Sequence, residues 1–185
     1  MFKNFNFDRI SLTKINMDGL EDMHEYSSKI EFYKYLEYDK FKTIEETKNY
    51  LKKLIKRSKR NNTHYWFVRL KDSSKVIGTF GLLNIDESRK SVEIGYGLSP
   101  DYWGNGYFNE TLFGILKYLF FELKFNRVWA KSQSNNLPSI KGLKNAGFQA
   151  EGRMREYYVS SENKKYDATL LSILSKDCFL AQFLQ

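Results

Sequence analysis

The chain has a single cysteine, Cys178, in 185 residues, so no intrachain disulfide can form. Its two prolines are too few for a Pro-rich linker. Its two histidines, His24 and His64, stand far apart, and neither has a carboxylate cluster at metal-ligand spacing, so no metal is expected. No run of about 18 apolar residues occurs, which excludes a membrane-spanning helix. Residues 1–6 lack the apolar core of a signal peptide. These absences point to a reduced, cytoplasmic protein. Repeats and low-complexity stretches are also missing and no shift in composition divides the chain, so residues 1–185 are expected to form one domain.

Aromatic residues are plentiful: 13 Tyr and 15 Phe help bring the aromatic share to 17%. With 42% hydrophobic residues, that content argues for a packed interior and for flat faces lining a cleft, and against disorder. The net charge of +8 suits either a nucleic acid or a small polyanion. The densest basic run, residues 52–60, sets Leu54 and Ile55 at helical spacing with Leu51. It therefore reads as the wet face of an amphipathic helix in preference to a nucleic-acid contact.

Periodicity and turn residues give the order β-α-α-β-β-β-α-β-α-β-β. Residues 7–13 alternate weakly, as an edge strand does, and residues 18–29 read as a helix opened by Asp18. Thr43 followed by Glu46 has the capping-box pattern. The apolar stripe Thr47, Tyr50, Leu51, Leu54 and Ile55 then predicts a helix over 44–58. Segments 65–70, 76–83 and 91–98 read as an antiparallel meander. Gly95 and Gly97 in its last strand predict a bulge, or close approach of another backbone or a ligand. Residues 104–123 carry Leu112, Ile115, Leu116, Leu119, Phe120 and Leu123 at helical spacing. Residues 127–131 predict a strand that returns parallel to 91–98 through a right-handed crossover. Asn136 opens a further helix with Pro138 in its first turn, and Gly147 ends it in the left-handed conformation. Two strands, 148–159 and 166–174, close the chain. The expected fold class is α/β: a mixed, mostly antiparallel sheet of about seven strands with one parallel crossover, flanked by about four helices.

The most informative stretch is Pro100-Asp101-Tyr102-Trp103-Gly104-Asn105-Gly106-Tyr107-Phe108-Asn109-Glu110, where a strand gives way to a helix. Two glycines there let backbone N–H groups close around an anion, and the helix N-terminus adds a partial positive charge. Such a pair also makes an ordinary tight turn. The Rossmann fingerprint is absent, because Asn109 stands where a third glycine belongs, and no Gly-Lys-Ser/Thr follows to make a P-loop.

Three ordered pieces, spanning Glu93 to Arg153, add specificity. They are Glu93-Ile94-Gly95-Tyr96 with the glycine turn and Glu110; Asn136-Leu137-Pro138-Ser139 with Leu143 and Gly147-Phe148; and Glu151-Gly152-Arg153. Together with the element order they resemble the GNAT superfamily of acetyl-CoA-dependent N-acetyltransferases, and within it the RimJ/RimL-type branch that acetylates ribosomal-protein N-termini. The resemblance implies that the amides of Trp103, Gly104, Asn105, Gly106, Tyr107 and Phe108 hold the pyrophosphate of coenzyme A. It implies that pantetheine lies between the strand ending at Leu98 and the strand at 128–131, with Asn136 beside it. Phe108 stands where the superfamily has a small residue, so its side chain is expected to turn away from the cofactor.

Acetyl transfer needs a neutral amine, a polarised thioester and a proton for the leaving thiolate. Glu93 is the candidate base, the alternative for it being a cross-strand salt bridge. Ser139 is the candidate hydrogen-bond donor to the thiolate, the alternative being a plain first-turn residue. Tyr96 and Tyr102 are further candidate acids, and Glu110 is expected to help the helix start. The acceptor is expected to be a primary amine, either a protein N-terminus or a small polyamine, amino sugar or aminoglycoside. Glu31, Glu37 and Asp39 are expected on the acceptor wall. Acetyl-CoA is the implied cosubstrate, with no metal, membrane or nucleic-acid partner, for a monomer or homodimer. A non-catalytic acyl-CoA-binding module is the competing class.

Overall fold

The computed structural model describes residues 3–178, so the reading of residues 1–6 falls partly outside it. The strands are β1 (Phe5–Asn6), β2 (Ile10–Lys14), β3 (His64–Leu70), β4 (Val76–Asp86), β5 (Ser91–Leu98), β6 (Arg127–Gln133), β7 (Gln149–Val159) and β8 (Lys165–Leu174). The α-helices are α1 (Leu20–Ser27), α2 (Ile44–Arg57), α3 (Tyr107–Lys117) and α4 (Leu137–Asn145). All eight strands form one sheet in the order β1-β2-β3-β4-β5-β6-β8-β7. Every pairing is antiparallel except β5 with β6. The single strand expected at 7–13 is in fact a hairpin, in which Phe5 faces Leu12 and Asn6 faces Ser11. That adds the eighth strand.

Local chemistry accounts for most boundaries. Thr43 Oγ1 accepts from the Glu46 amide at 3.3 Å, and the Glu46 carboxylate accepts from the Thr43 amide at 3.0 Å, which completes the capping box of α2. Thr47, Leu51 and Leu54 are its buried stripe. The entry to α1 differs from expectation. Asn16, not Asp18, is the cap: it starts a 3₁₀ turn, Met17–Gly19, by accepting from the Asp18 amide at 3.2 Å. Asp18 pairs with Arg69 instead. The helix expected from residue 104 begins only at Tyr107, because Gly106 caps it at φ +82°. It continues through a π-helical turn, Tyr118–Glu122.

Side chains alternate across the sheet and bury on both faces. Val92 and Ile94 of β5 join Leu112, Ile115, Leu116 and Leu143 in the core beneath α3 and α4. On the opposite face Met23, Tyr26, Leu51, Leu54 and Phe67 form a second core under α1 and α2. Glu93, Gly95 and Gly97 alternate with the first set and therefore face this second side. Among the described residues no helix is long and apolar enough to cross a membrane.

Candidate active site

The sheet opens at its one parallel pair. β5 and β6 are in register only at Ser91↔Arg127, Val92↔Val128 and Glu93↔Trp129. Beyond Glu93 they diverge, so residues 94–98 have no partner strand on the β6 side. The bulge expected at Gly95 and Gly97 is absent, since Gly81↔Gly95 and Thr79↔Gly97 pair regularly with β4. The irregularity lies earlier, between Leu83 and Asp86, where Asn84 takes φ +46°. Gly97 instead answers a close approach: a Cβ there would sit 3.0 Å from Phe32 Cζ.

The glycine turn follows the mouth of this opening. Gly104 and Gly106 take φ +75° and +82°, the region that favours glycine. A Cβ on Gly104 would meet nothing within 4 Å, so the turn presents bare backbone to solvent. Among the described residues no acceptor meets the amides of Gly104, Asn105, Gly106, Tyr107 and Phe108, while the Glu110 amide already bonds Gly106 at 3.0 Å. Such a run of free amides at a helix N-terminus suits an anion of phosphate type. Two predicted residues differ. The Trp103 amide is used internally, donating to Pro100 at 3.2 Å. The Trp103 indole donates to the Leu98 carbonyl at 2.8 Å, so that carbonyl is already engaged. Both serve to fold the turn against the end of β5.

Arg9 is a part of this site that no local pattern announces. Its guanidinium donates to the Asn105 carbonyl at 2.9 Å, lies 4.6 Å from the Tyr107 ring centre and pairs with Glu110 at 2.8 Å. Glu110 therefore latches Arg9 to the turn, beyond any help it gives the helix. Phe108 turns inward, as expected. Its ring lies 4.3 Å from that of Tyr96, and a Cβ on Gly142 would be 2.9 Å from its Cε1. It packs β5, α3 and α4 together.

Glu93 sits where the strands part and is only 6% exposed. Its Oε2 accepts from Asn84 Nδ2 at 2.6 Å, and its Oε1 pairs with Lys131 Nζ at 3.2 Å. Burial works against the charge on Lys131, but the Tyr157 hydroxyl and Glu93 outweigh it, and the net effect raises its pKa. The cross-strand pair weighed for Glu93 thus exists, at the same point where a base would act. Parallel register could have found it: Lys131 lies two residues past Trp129 on the same face of the neighbouring strand.

Across the opening stands a chain of hydroxyls. Ser139 Oγ lies 2.8 Å from Tyr96 Oη and accepts from Ser132 Oγ at 3.1 Å. Strand β5, strand β6 and helix α4 each contribute one member. With Tyr96 as the second donor, Ser139 keeps its own hydrogen for a further acceptor. Burial pushes the Tyr96 phenol up to about 12, against the lowering effect of its bond to Ser139, so it is protonated at neutral pH. Asn136 caps α4, its Oδ1 accepting from the Ser139 amide at 3.3 Å, which fixes that residue in the first turn.

On the α1–α2 side of the sheet lies a cavity of about 190 Å³. Its lining includes Tyr26, Tyr38, Tyr50, Leu83, Gly95 and Gly97, and among the described residues no charged one. The acidic residues expected on this wall have other partners. Glu37 accepts from the Val159 amide at 3.1 Å and Asp39 from Ser161 Oγ at 2.6 Å, tying the α1–α2 connection to the β7–β8 hairpin. Glu31 is exposed. Tyr102, the other candidate acid, stacks edge-on with Tyr107 near the turn. Among the described residues no group of three His, Cys, Asp or Glu is poised to hold a metal.

The sequence matches the family model described as "Acetyltransferase (GNAT) domain" over residues 9–149. It is 29% identical over 170 residues to the uncharacterized N-acetyltransferase p20 of Bacillus licheniformis, which covers 92% of this chain and 95% of that protein. The putative ribosomal N-acetyltransferase YdaF of Bacillus subtilis is 29% identical over 101 residues, 54% of either chain. The crystal structure of a GNAT-family acetyltransferase from Bacillus anthracis superposes with a TM-score of 0.81 at 26% identity, over 94% of this chain and 99% of that one.

Proposed function

From the premise that the chain belongs to the acetyltransferase (GNAT) family, we propose that it moves an acetyl group directly from acetyl-CoA to a primary amine, with Glu93 as base and Ser139 at the leaving sulfur. It is an acetyl-CoA-dependent N-acetyltransferase; the acceptor and the residue roles are our reading. The carrying observation is the parting of β5 from β6 directly after Glu93, with unpaired amides at its mouth and a hydroxyl chain across it. Open sheets take ligands in such a crevice, beyond the carboxyl ends of parallel strands.

Acetyl-CoA supplies the thioester whose acetyl group the amine attacks. Gly104 to Phe108 offer their amides to the pyrophosphate, and Arg9 adds positive charge beside them. The edge of β5 beyond Glu93, up to the engaged Leu98 carbonyl, offers N–H and C=O groups to the amides of pantetheine. Glu93 takes the proton of the incoming ammonium, directly or through one water, and Asn84 and Lys131 fix its orientation. Ser139 donates a hydrogen bond to the developing thiolate, oriented by Tyr96 through their 2.8 Å contact, and the second proton that the amine nitrogen sheds after attack neutralises the thiolate.

For the acceptor we favour an α-amine over a polyamine, because the cavity next to Glu93 carries no carboxylate for additional cationic groups. The RimJ/RimL-type motif pieces and the likeness to a putative ribosomal N-acetyltransferase support an N-terminal amine. The test is thiol release from acetyl-CoA with N-terminal peptides, spermidine, amino sugars and aminoglycosides. Glu93→Gln is expected to lower kcat about 10²–10⁴-fold while leaving acetyl-CoA affinity intact. A parent that binds acetyl-CoA but consumes no amine would favour the non-catalytic module.

A further inference from the structure

Lysine–carboxylate pairs are common on this protein. Among the described residues all but one join side chains that are each at least 30% exposed. Lys131 with Glu93 is the exception, at 18% and 8%. Exposed pairs add little and call for no special account. This one stands in the β5–β6 opening, and its cation is a primary amine.

The register puts it there. β5 and β6 pair last at Glu93↔Trp129, and Lys131 lies two residues further along β6, on the face that Glu93 shares. On its other side β6 is still paired, Lys131 with Leu170 and Ser132 with Thr169, so β8 fixes the strand. The ammonium is steered from two directions. Nζ lies 3.2 Å from Glu93 Oε1, and from β7 Tyr157 accepts its hydrogen bond, with the ring centre 4.7 Å away. The next residue, Ser132, points to the opposite face and donates at 3.1 Å to Ser139, the group assigned to the leaving sulfur. Consecutive residues of one strand thus bring an amine and the sulfur's partner to the two faces of one opening. An amine within proton-transfer distance of its base, with the leaving group's donor beyond it, has what an acceptor needs.

We propose that Lys131 is itself an acceptor, and that the protein acetylates its own Lys131 from acetyl-CoA. The proposal rests on the reading of the β5–β6 opening as the acetyl-transfer site. Glu93 Oε1 takes one proton from the ammonium. The neutral nitrogen attacks the thioester carbonyl carbon, so that a C–N bond forms and the C–S bond breaks. The thiolate leaves toward Ser139 and is neutralised by the second proton that the nitrogen sheds, and Glu93 returns the first to water. The products are Nε-acetyl-Lys131 and free coenzyme A. The acetylated side chain carries no charge, so Glu93 Oε1 loses its ion-pair partner while Asn84 stays on Oε2.

The experiment incubates the full chain with acetyl-CoA and maps acetyl groups over time by peptide mass spectrometry. Lys164 and Lys165 serve as exposed references. Thiol release with the external amines is followed in parallel. Lys131 is expected to react at least about 100-fold faster than the references, because its nitrogen is held beside its base. Unfolding the chain in urea is expected to erase that preference. Glu93→Gln is expected to slow Lys131 about 10²–10⁴-fold and to leave the references unchanged. Excess coenzyme A, which carries no acetyl group, is expected to slow Lys131 alone, and this arm needs no variant. Lys131 reacting no faster than the references overturns the proposal, as does a Lys131 rate unmoved by either Glu93→Gln or coenzyme A. An external amine consumed while Lys131 stays unmodified overturns self-acetylation and leaves acetyl transfer standing. Lys131 modified with no external amine consumed upholds it and counts only against the acceptor proposed above.

Discussion

Replacing Ser139 with alanine removes the hydroxyl on which Tyr96 and Ser132 converge. Ser132 is 6% exposed and Tyr96 lies deep between Phe80 and Phe108, so neither hydroxyl regains a partner easily. Leaving the two unmatched costs about 2–4 kcal/mol, or roughly 5–12 °C in Tm for a chain of this length. The kinetic loss has a separate origin. A hydrogen bond to a charged group contributes about 1.5–3 kcal/mol, so losing the donor to the thiolate slows transfer by roughly 10–100-fold. Tyr96→Phe leaves Ser139 in place with Ser132 still donating, and is expected to cost only about 3–10-fold in rate. The assay is single-turnover thiol release at saturating acetyl-CoA, corrected for the folded fraction. A Ser139→Ala enzyme with parental rate, or a Tyr96→Phe enzyme slower than Ser139→Ala, would refute the chain as drawn. The second result would make the tyrosine the direct donor.

Other perturbations probe the remaining parts. Gly106→Ala places a side chain at φ +82° and a Cβ 3.3 Å from Arg9 Nη2; about 1–2 kcal/mol of strain should raise the acetyl-CoA Kd roughly 5–30-fold by calorimetry. Burial lowers His64 from 6.5 to about 4, so the folded state resists its protonation. Its contribution, up to about 3 kcal/mol, is complete above pH 6.5 and is lost as pH falls toward 4, and His64→Phe should flatten that part of a stability–pH curve. Arg127 and Ser172 hold Glu151 down from 4.5 to about 2. That contribution is present above pH 4.5 and lost toward pH 2. It should amount to only about 1 kcal/mol, because Glu151 is 36% and Arg127 29% exposed, and Glu151→Gln should remove it.

Elements whose causes are local were legible in the sequence. Thr43 and Glu46 cap α2 from three residues apart, Asn136 caps α4, and Gly147 takes φ +95° after it. The glycine turn could be placed between a strand and a helix for the same reason. Contacts closed by tertiary packing could not be read. Arg9 reaches Asn105 and Glu110 across most of the chain, and a lone arginine carries no pattern. Gly95 and Gly97 signalled close approach, but the sequence does not say that Phe32 is what approaches. Glu37 and Asp39 were expected on the acceptor wall, whereas strand β7 and the hairpin turn beyond it claim them. Weak alternation over 7–13 located β2 at Ile10–Lys14 but not β1 at Phe5–Asn6, a strand of two residues too short to show a period.

The central claim is that acetyl-CoA binds along the opening between β5 and β6 with its pyrophosphate on the glycine turn. Amide hydrogen exchange, followed with and without acetyl-CoA, tests it most directly. The account predicts slowed exchange at residues 104–108 and along 94–98, with the basic helix α2 unchanged. Protection confined to α2, or none at the turn, would contradict it.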